Sequence, residues 1–560
     1  MRHKVWRTLP KFTAVLTALL MFAVPVTVSY GQAGNDITLQ QTASLTSAGA
    51  TWTQPIPLGY GWFPDVFADL SGRVHVAWSS GQGDAISGEY DTVVYSTSMD
   101  GQTWSEINDI AARPSMGAAT RPAIFVDSQG VFHLTFRDHL IYYSQALARS
   151  ISAASLASPV LISDSTTVGY YSRLARDGQG ILHLVYTQNV PSISCAVCFH
   201  LFYRQSTDSG QDWSSPVDIS ILPTDVPTGA VKPQILIDKQ NNIHVVWEAG
   251  RGGDAQILAL ATQVMYTASY DGGKTWTTPL EFVTPDSPYP TPTPRFAGPT
   301  PTPLPVLVKD ARAENVAIGM DGEGKLVVVW LGLPQDLIYY EVSTDQGRSW
   351  SLPQLIPGVW GGMSIYGTKL DSYTIATDGA GQVHLVLVGR TSGKVNDWFT
   401  KDADGRNDLS ILNVLHLWWD GSHWSKPDVI TTLVGDVPEW PRLAIGDGNQ
   451  LHVVWFVRDK ENIYGEQGRG EYRIWYAQGV SSAPAVVPVV WSTIPTTETS
   501  TPGTTAAPPM TVSPEYTALP TITTIPNYTE SDILLLVIKA LAPAAVLVAL
   551  IVLVVFIRRR

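Results

Sequence analysis

Between residues 50 and 480 the chain repeats one order of apolar and polar positions. The first half of each unit is an apolar strand, a turn containing Gly or Asn, and a second strand of alternating or continuous apolar residues. It occurs at 64–78, 121–136, 172–186, 232–247, 315–330, 373–388 and 441–455. The second half is a third strand, a turn built on Ser, Asp, Gly and Trp, and a fourth strand that opens Trp-x-x-Pro. Three turns are full: Ser206, Asp208, Gly210 and Trp213; Ser269, Asp271, Gly273 and Trp276; Ser343, Asp345, Gly347 and Trp350. Two are one residue shorter, at Asp100-Gly101 with Trp104 and at Asp420-Gly421 with Trp424. Four strands per unit at this spacing predict an all-β fold, a seven-bladed β-propeller. The last unit supplies three strands, and Trp52-Thr53-Gln54-Pro55 repeats the opening of a fourth. An N-terminal strand is therefore expected to complete the last blade and cover its open edge.

The two ends read differently. Arg2, Lys4, Arg7 and Lys11 precede an apolar stretch from Phe12 to Val28 and the small-residue pattern Gly31-Gln32-Ala33, so residues 1–33 read as a signal peptide. Residues 533–557 are long and apolar enough to cross a bilayer, and the basic tail 558–560 is expected on the cytoplasmic side. An uncleaved N-terminal anchor and a buried core helix are the respective alternatives. Residues 481–531 are rich in Thr, Pro and Ser with few charges, the composition of an extended stalk. The expected protein is single-pass, with its propeller on the extracellular face of a membrane. The Pro/Thr-rich run at 284–305 interrupts the repeat between two blades and reads as a polyproline insertion.

A net charge of -13 leaves no broad basic surface for a phosphate backbone, so nucleic acid is not an expected partner. In the Ser-Asp-Gly-Trp turn the carboxylate and hydroxyl can hold turn N–H groups, Gly takes a positive φ and Trp packs inward, which makes the motif structural. One carboxylate per turn is too few oxygens for calcium. His75, His133, His183, His244, His384 and His452 recur on second strands and read as core histidines bonded to backbone. No metal site and no cofactor is expected. The only cysteines, Cys195 and Cys198, read as a small disulfide outside the cell; free thiols, or zinc with His200, are the alternatives.

Strand direction puts candidate functional residues where first strands start and second strands end, opposite the Ser-Asp turns. The starts offer Arg121, Tyr170, Tyr171, Arg173, Lys232, Tyr373, Glu439, Trp440 and Arg442. The ends offer Arg137, Asp138, His139, Glu248, Arg251, Arg390, Arg458 and Asp459. Aromatic rings beside Arg and carboxylates suit a sugar ring with polar edges, and the same residues also suit rim salt bridges.

On the three full turn motifs the chain resembles the sialidase-like, BNR/Asp-box superfamily over about residues 50–480. In sialidases the resemblance implies six blades, an arginine triad for the sugar carboxylate, a Tyr-Glu nucleophile pair and an Asp acid. Carried onto this chain, Arg121, Arg251 and Arg442 or Lys232 would grip the acid group. Glu248 with Tyr170 or Tyr171 would be the nucleophile pair, and Asp138 the acid. Thr120-Arg121-Pro122 lacks the Ile of the family's first arginine motif, and Val231-Lys232-Pro233 has a lysine, which cannot offer a bidentate fork. Two readings follow: a binding module for an extracellular glycan or protein ligand, and a sialidase-like glycoside hydrolase. A surface-layer component is a third.

Overall fold

The computed structural model describes residues 50–80, 91–111, 119–191, 197–221, 229–250, 261–285, 312–362, 370–462 and 471–489. The predicted signal peptide, the Pro/Thr-rich insertion beyond Pro285, the stalk beyond Val489 and segment 533–557 lie outside them. Among the described residues no helix is long and apolar enough to cross a membrane.

The described strands form six antiparallel sheets. The first sheet holds Trp62–Ala68, Val74–Ser79, Val93–Ser98 and Asn108–Ala111. The second, third and fourth open with Thr120–Val126, Gly169–Arg176 and Gly229–Ile237 and follow the same order outward. The closing sheet carries Val437–Gly446, Gln450–Arg458 and Arg473–Val480, and its outer edge is Thr51–Trp52 and Ile56–Tyr60 from the front of the chain. Ile56 pairs with Tyr476 and Thr51 with Val480, so the N-terminal strand covers the last edge.

The expectation of seven separate blades is corrected here. Five blades stand as sheets of their own, and residues Arg312–Val434 form one continuous nine-stranded sheet. The join lies in Gln354–Gly361, where Trp360 pairs with both Leu337 and Arg390, and Gly361 pairs with Gly389. Gly358 at φ 74 bends that strand, shifting its register so that its end serves two ladders. A single irregular strand end of this kind leaves no mark on an apolar repeat.

Each interior is aromatic and aliphatic, with Trp78, Trp247, Trp330 and Trp455 almost wholly buried on the second strands. The recurrent histidines are buried too, but their partners are side chains and not the backbone. His75 Nε2 lies 3.0 Å from the Asp69 carboxylate and its Nδ1 lies 2.7 Å from the Tyr95 hydroxyl. The same Asp-His-Tyr arrangement recurs as Asp127-His133-Tyr143, Asp177-His183-Tyr203 and Asp238-His244-Tyr266. Each of these carboxylates also caps its own hairpin turn, as Asp69 does for Ser71 N and Arg73 N. At His75 and His244 both ring nitrogens are hydrogen-bonded this way, whereas at His133 and His183 Nε2 only approaches its Asp and makes no hydrogen bond among the described residues.

In the Ser-Asp turns the hydroxyl and carboxylate take turn N–H groups. Ser206 Oγ accepts from Gly210 N at 2.8 Å and Asp208 accepts from Asp212 N at 3.0 Å, with equivalents at Ser269 and Asp271 and at Ser343 and Asp345. The Trp reaches back to the preceding sheet: Trp213 meets Tyr143, Trp276 meets Tyr203 and Trp350 meets Tyr266 edge to face. The turns therefore join neighbouring sheets as well as closing their own hairpins.

Past Val480 the chain runs over the hairpin turns. Ser481 Oγ bonds the Asp378 carboxylate at 3.0 Å, Val486 N bonds Asp447 O at 2.7 Å and Val489 N bonds Leu70 O at 2.6 Å. The first residues of the expected stalk thus lie on the face away from the candidate site.

Candidate functional site

The innermost strand of each sheet is broken near its start. Register shifts fall between Trp62 and Asp65, Thr120 and Ala123, Gly169 and Ser172, Val231 and Gln234, Glu314 and Ala317, and Glu439 and Arg442. At the break Phe63, Arg121, Lys232, Asn315 and Trp440 take φ values of 50, 53, 48, 55 and 58. Proline follows four of them, at Pro64, Pro122, Pro233 and Pro441, and removes the ladder donor where pairing fails. Held at strained φ by the strands on either side, these bulges bring Phe63, Arg121, Lys232 and Trp440 to one gap.

Tyr171, Arg173, Ser372 and Arg442 also border this gap, whose free volume is about 10 Å³, the room of a single water. Arg121 is packed among aromatic rings: its guanidinium carbon lies 3.8 Å from the Phe63 centroid, 4.4 Å from Tyr170 and 4.9 Å from Tyr171. Its Nη2 donates to the Tyr170 hydroxyl at 3.0 Å, while Nη1 has no hydrogen-bond partner among the described residues. Arg137 also lies over the Tyr170 ring, 4.5 Å from its centroid. Arg173 and Arg442 share Asp65, at 3.4 and 3.8 Å. Burial and then the neighbouring Arg173 push the Arg442 guanidinium well down from its ordinary value.

Opposite lies a buried polar network. Lys232 Nζ is 3.2 Å from Glu248, donates to Asp371 O at 2.6 Å and reaches Asn315 Oδ1 at 3.4 Å. The second Glu248 oxygen accepts Asn315 N at 3.0 Å. Asp371 accepts Trp440 N at 3.2 Å and Asn315 Nδ2 at 3.3 Å. Glu439 binds Arg458 at 2.7 Å and accepts Leu370 N at 3.3 Å. Burial acts to lower the Lys232 ammonium, but Glu248, Tyr171, Glu314 and Asp371 around it outweigh that and raise it. Burial raises Glu248, with Lys232 opposing. Glu314 is pushed up to about 8 by burial and the nearby Glu248, and Asp371 to about 8 by burial and the nearby Glu439.

Of the sequence candidates, the gap gathers Arg121, Tyr171, Arg173, Lys232, Trp440 and Arg442, with Tyr170 and Glu248 one contact behind. Among the described residues Asp138 does not border it; it is buried at the end of its strand, next to Arg137. Arg390 belongs to a separate cluster, with Asp336 at 3.5 Å, Gly361 O at 2.6 Å and the Trp398 ring at 4.5 Å. Tyr373 is buried, His139 holds a φ of 66, and Asp459 is raised by burial and the neighbouring Asp436. Arg251 and Cys195 lie outside the described residues, and Cys198 is in a disulfide. Sequence reasoning missed Phe63, Glu314 and Asp371. The signal for Phe63 was the residue-before-proline position that it shares with Arg121, Lys232 and Trp440. For Glu314 it was equivalence with Glu439, one residue ahead of the bulge.

No family model and no curated protein matches the chain. Among solved structures it is similar to the BP39L lectin from Burkholderia pseudomallei, at 14% identity and TM-score 0.45, over 80% of this chain and 99% of that one. It is similar to an ulvan lyase of polysaccharide lyase family PL25, at 11% identity and TM-score 0.43, over 75% and 95%. It is also similar to the NanB sialidase from Streptococcus pneumoniae, at 12% identity and TM-score 0.39, over 79% and 71%. The chain is an all-β propeller of antiparallel sheets.

Proposed function

We propose that the chain is a surface propeller that binds an extracellular carbohydrate or protein ligand at the Arg121 face, held at the membrane by residues 533–557. One observation carries the preference for binding over turnover. Glu248, the candidate base, has both oxygens engaged, by Lys232 and by Asn315 N, beside a gap with room for one water. A base held by an ammonium and a backbone N–H is poorly placed to activate a tyrosine. Aromatic rings and guanidinium groups at the same mouth supply the stacking and hydrogen-bonding surfaces a sugar uses.

A second reading, an exo-sialidase or related glycoside hydrolase, is favoured by the four cationic side chains, Arg121, Arg173, Lys232 and Arg442, that border one gap with Tyr171. The full chain in detergent, offered a fluorogenic sialoside panel and a glycan array, separates the two. Array binding without sugar release is the expected result; release that is lost in Glu248→Gln would replace the binding reading with the hydrolase.

A further inference from the structure

In five sheets the second-strand histidine turns Nδ1 to a third-strand tyrosine hydroxyl, as His75 does to Tyr95 at 2.7 Å and His452 to Tyr476 at 2.8 Å. His384 does not. In the same register its Nδ1 meets His416 Nε2 at 2.8 Å, and His416 Nδ1 lies 3.1 Å from the Asp428 carboxylate. His384 Nε2 lies 3.1 Å from Asp378, which caps its own turn as Asp69 does. The row Asp378-His384-His416-Asp428 thus has three polar contacts where Asp69-His75-Tyr95 has two.

The number of protons follows from the geometry. Each contact needs one hydrogen between its two heavy atoms. In Asp69-His75-Tyr95 a neutral imidazole and a phenol supply both. Between Asp378 and Asp428 two neutral imidazoles supply two hydrogens for three contacts, and the third contact then sets an imidazole lone pair against a carboxylate. One extra proton completes the row. With it the row carries one net negative charge; without it, both carboxylate charges stand uncompensated.

Both ends of the propeller cover this row. Trp52 of the N-terminal strand meets His416 edge to face, ring centroids 5.1 Å apart at 64°, taking the place that Trp213 has on Tyr143. Ser481, past the last strand, donates to Asp378 at 3.0 Å. The Asp378 and His416 side chains are fully buried, and only Asp428 keeps an exposed part, 18% of its side chain. Desolvation costs rise with the square of the charge, so covering the row is cheaper with the extra proton than without it. Closure of the ring and retention of that proton therefore favour each other.

We propose that the seam of the propeller is proton-held: one proton shared by His384 and His416 between Asp378 and Asp428 fastens the N-terminal strand, and its loss loosens that strand first. Among the described residues the titratable groups acting on His416 are Asp428 and His384, and the one acting on Asp378 is His384. Burial lowers His416 to about 4 against the pull of Asp428, and His384 adds to the lowering, so above that value the row takes one extra proton and not two.

Thr53 N donates to Gln478 O at 2.8 Å, so amide exchange across residues 50–58 reads the hold on this strand. Hydrogen–deuterium exchange of the full chain in detergent, corrected for intrinsic rates, measures it. Protection of residues 50–58 should fall about tenfold from about pH 5 to about pH 8, the range in which imidazoles titrate, while that of Phe199–Ser206 stays level. His416→Tyr restores the pattern of the other sheets, and Asp428→Asn supplies an amide N–H to His416 Nδ1 in place of the proton. Each should make the protection independent of pH. Constant protection in the unaltered chain overturns the proposal, as does a fall shared by Phe199–Ser206 or one that persists in either variant. Should His416→Tyr not fold, Asp428→Asn at its partly exposed position decides alone.

Discussion

Tyr476 and Trp104 meet edge to face, ring centroids 4.8 Å apart at 73°, and so join the closing sheet to the first. The same Tyr-to-Trp contact joins the interior sheets, as at Tyr143 and Trp213, so the seam is closed by the repeat's own device in addition to the N-terminal strand. Replacing Trp104 by Ala removes that contact and should cost about 2–3 kcal/mol, below the range for a fully buried Trp because Trp104 is only partly buried. Chemical denaturation monitored by circular dichroism measures it. Removing residues 50–60 instead should expose the Arg473–Val480 edge and drive association, visible by size-exclusion chromatography.

Gly273 and Gly272 form an internal control within one turn. Both have positive φ, 86 and 74, but a Cβ on Gly273 would strike the Tyr203 ring, whereas on Gly272 it would meet nothing within 4 Å. Gly272→Ala should cost about 1 kcal/mol from backbone strain alone. Gly273→Ala should cost about 2–4 kcal/mol because the interleaved Tyr203 must also move. Equal shifts in denaturation midpoint would contradict a role for this turn between sheets.

Lys232 and Glu248 should be strongly coupled. Lys232→Met or Glu248→Leu alone strands a buried partner and should cost about 3–5 kcal/mol, while Lys232→Met with Glu248→Leu should recover much of the loss. A double-mutant cycle in urea tests this, and additive losses would show that the pair is not a unit.

His452 sets an acid limit. Burial lowers it from 6.5 to about 4, so the folded state binds fewer protons than the unfolded state between those values. Its contribution is complete above about pH 6.5 and is lost as the pH falls toward about 4, amounting to about 3 kcal/mol. Urea midpoints across that range should fall in the unaltered protein and fall less in His452→Gln, which keeps a polar group near Tyr476.

Glu314 and Asp371 act with the opposite sign. Their folded values, about 8, exceed those of exposed carboxyls, so their stabilising share is full below about pH 4 and is lost as the pH rises through about 8. Asp371→Asn should therefore flatten the alkaline side of the stability profile and leave the acid side governed by histidines such as His452.

The alternation of apolar positions and the Ser, Asp, Gly and Trp of the turns were legible as residues, because strand period and turn chemistry act over a few neighbours. They placed the strands, the closing N-terminal segment and the end of the molecule where Arg121, Lys232 and Trp440 gather. Three things rest on contacts between distant residues. Trp360 pairs two ways and merges sheets that the repeat describes as separate. Histidines such as His75 and His244 lie on Asp and Tyr side chains, because the ladders leave no free backbone group for them. Glu248 faces a lysine and a backbone N–H, and Glu314 and Asp371 share its pocket, because bulges in successive sheets turn these groups toward one gap. Local periodicity specifies which face of a strand is buried; only the packed ring specifies which charges must share that burial, and so which of them keep their protons.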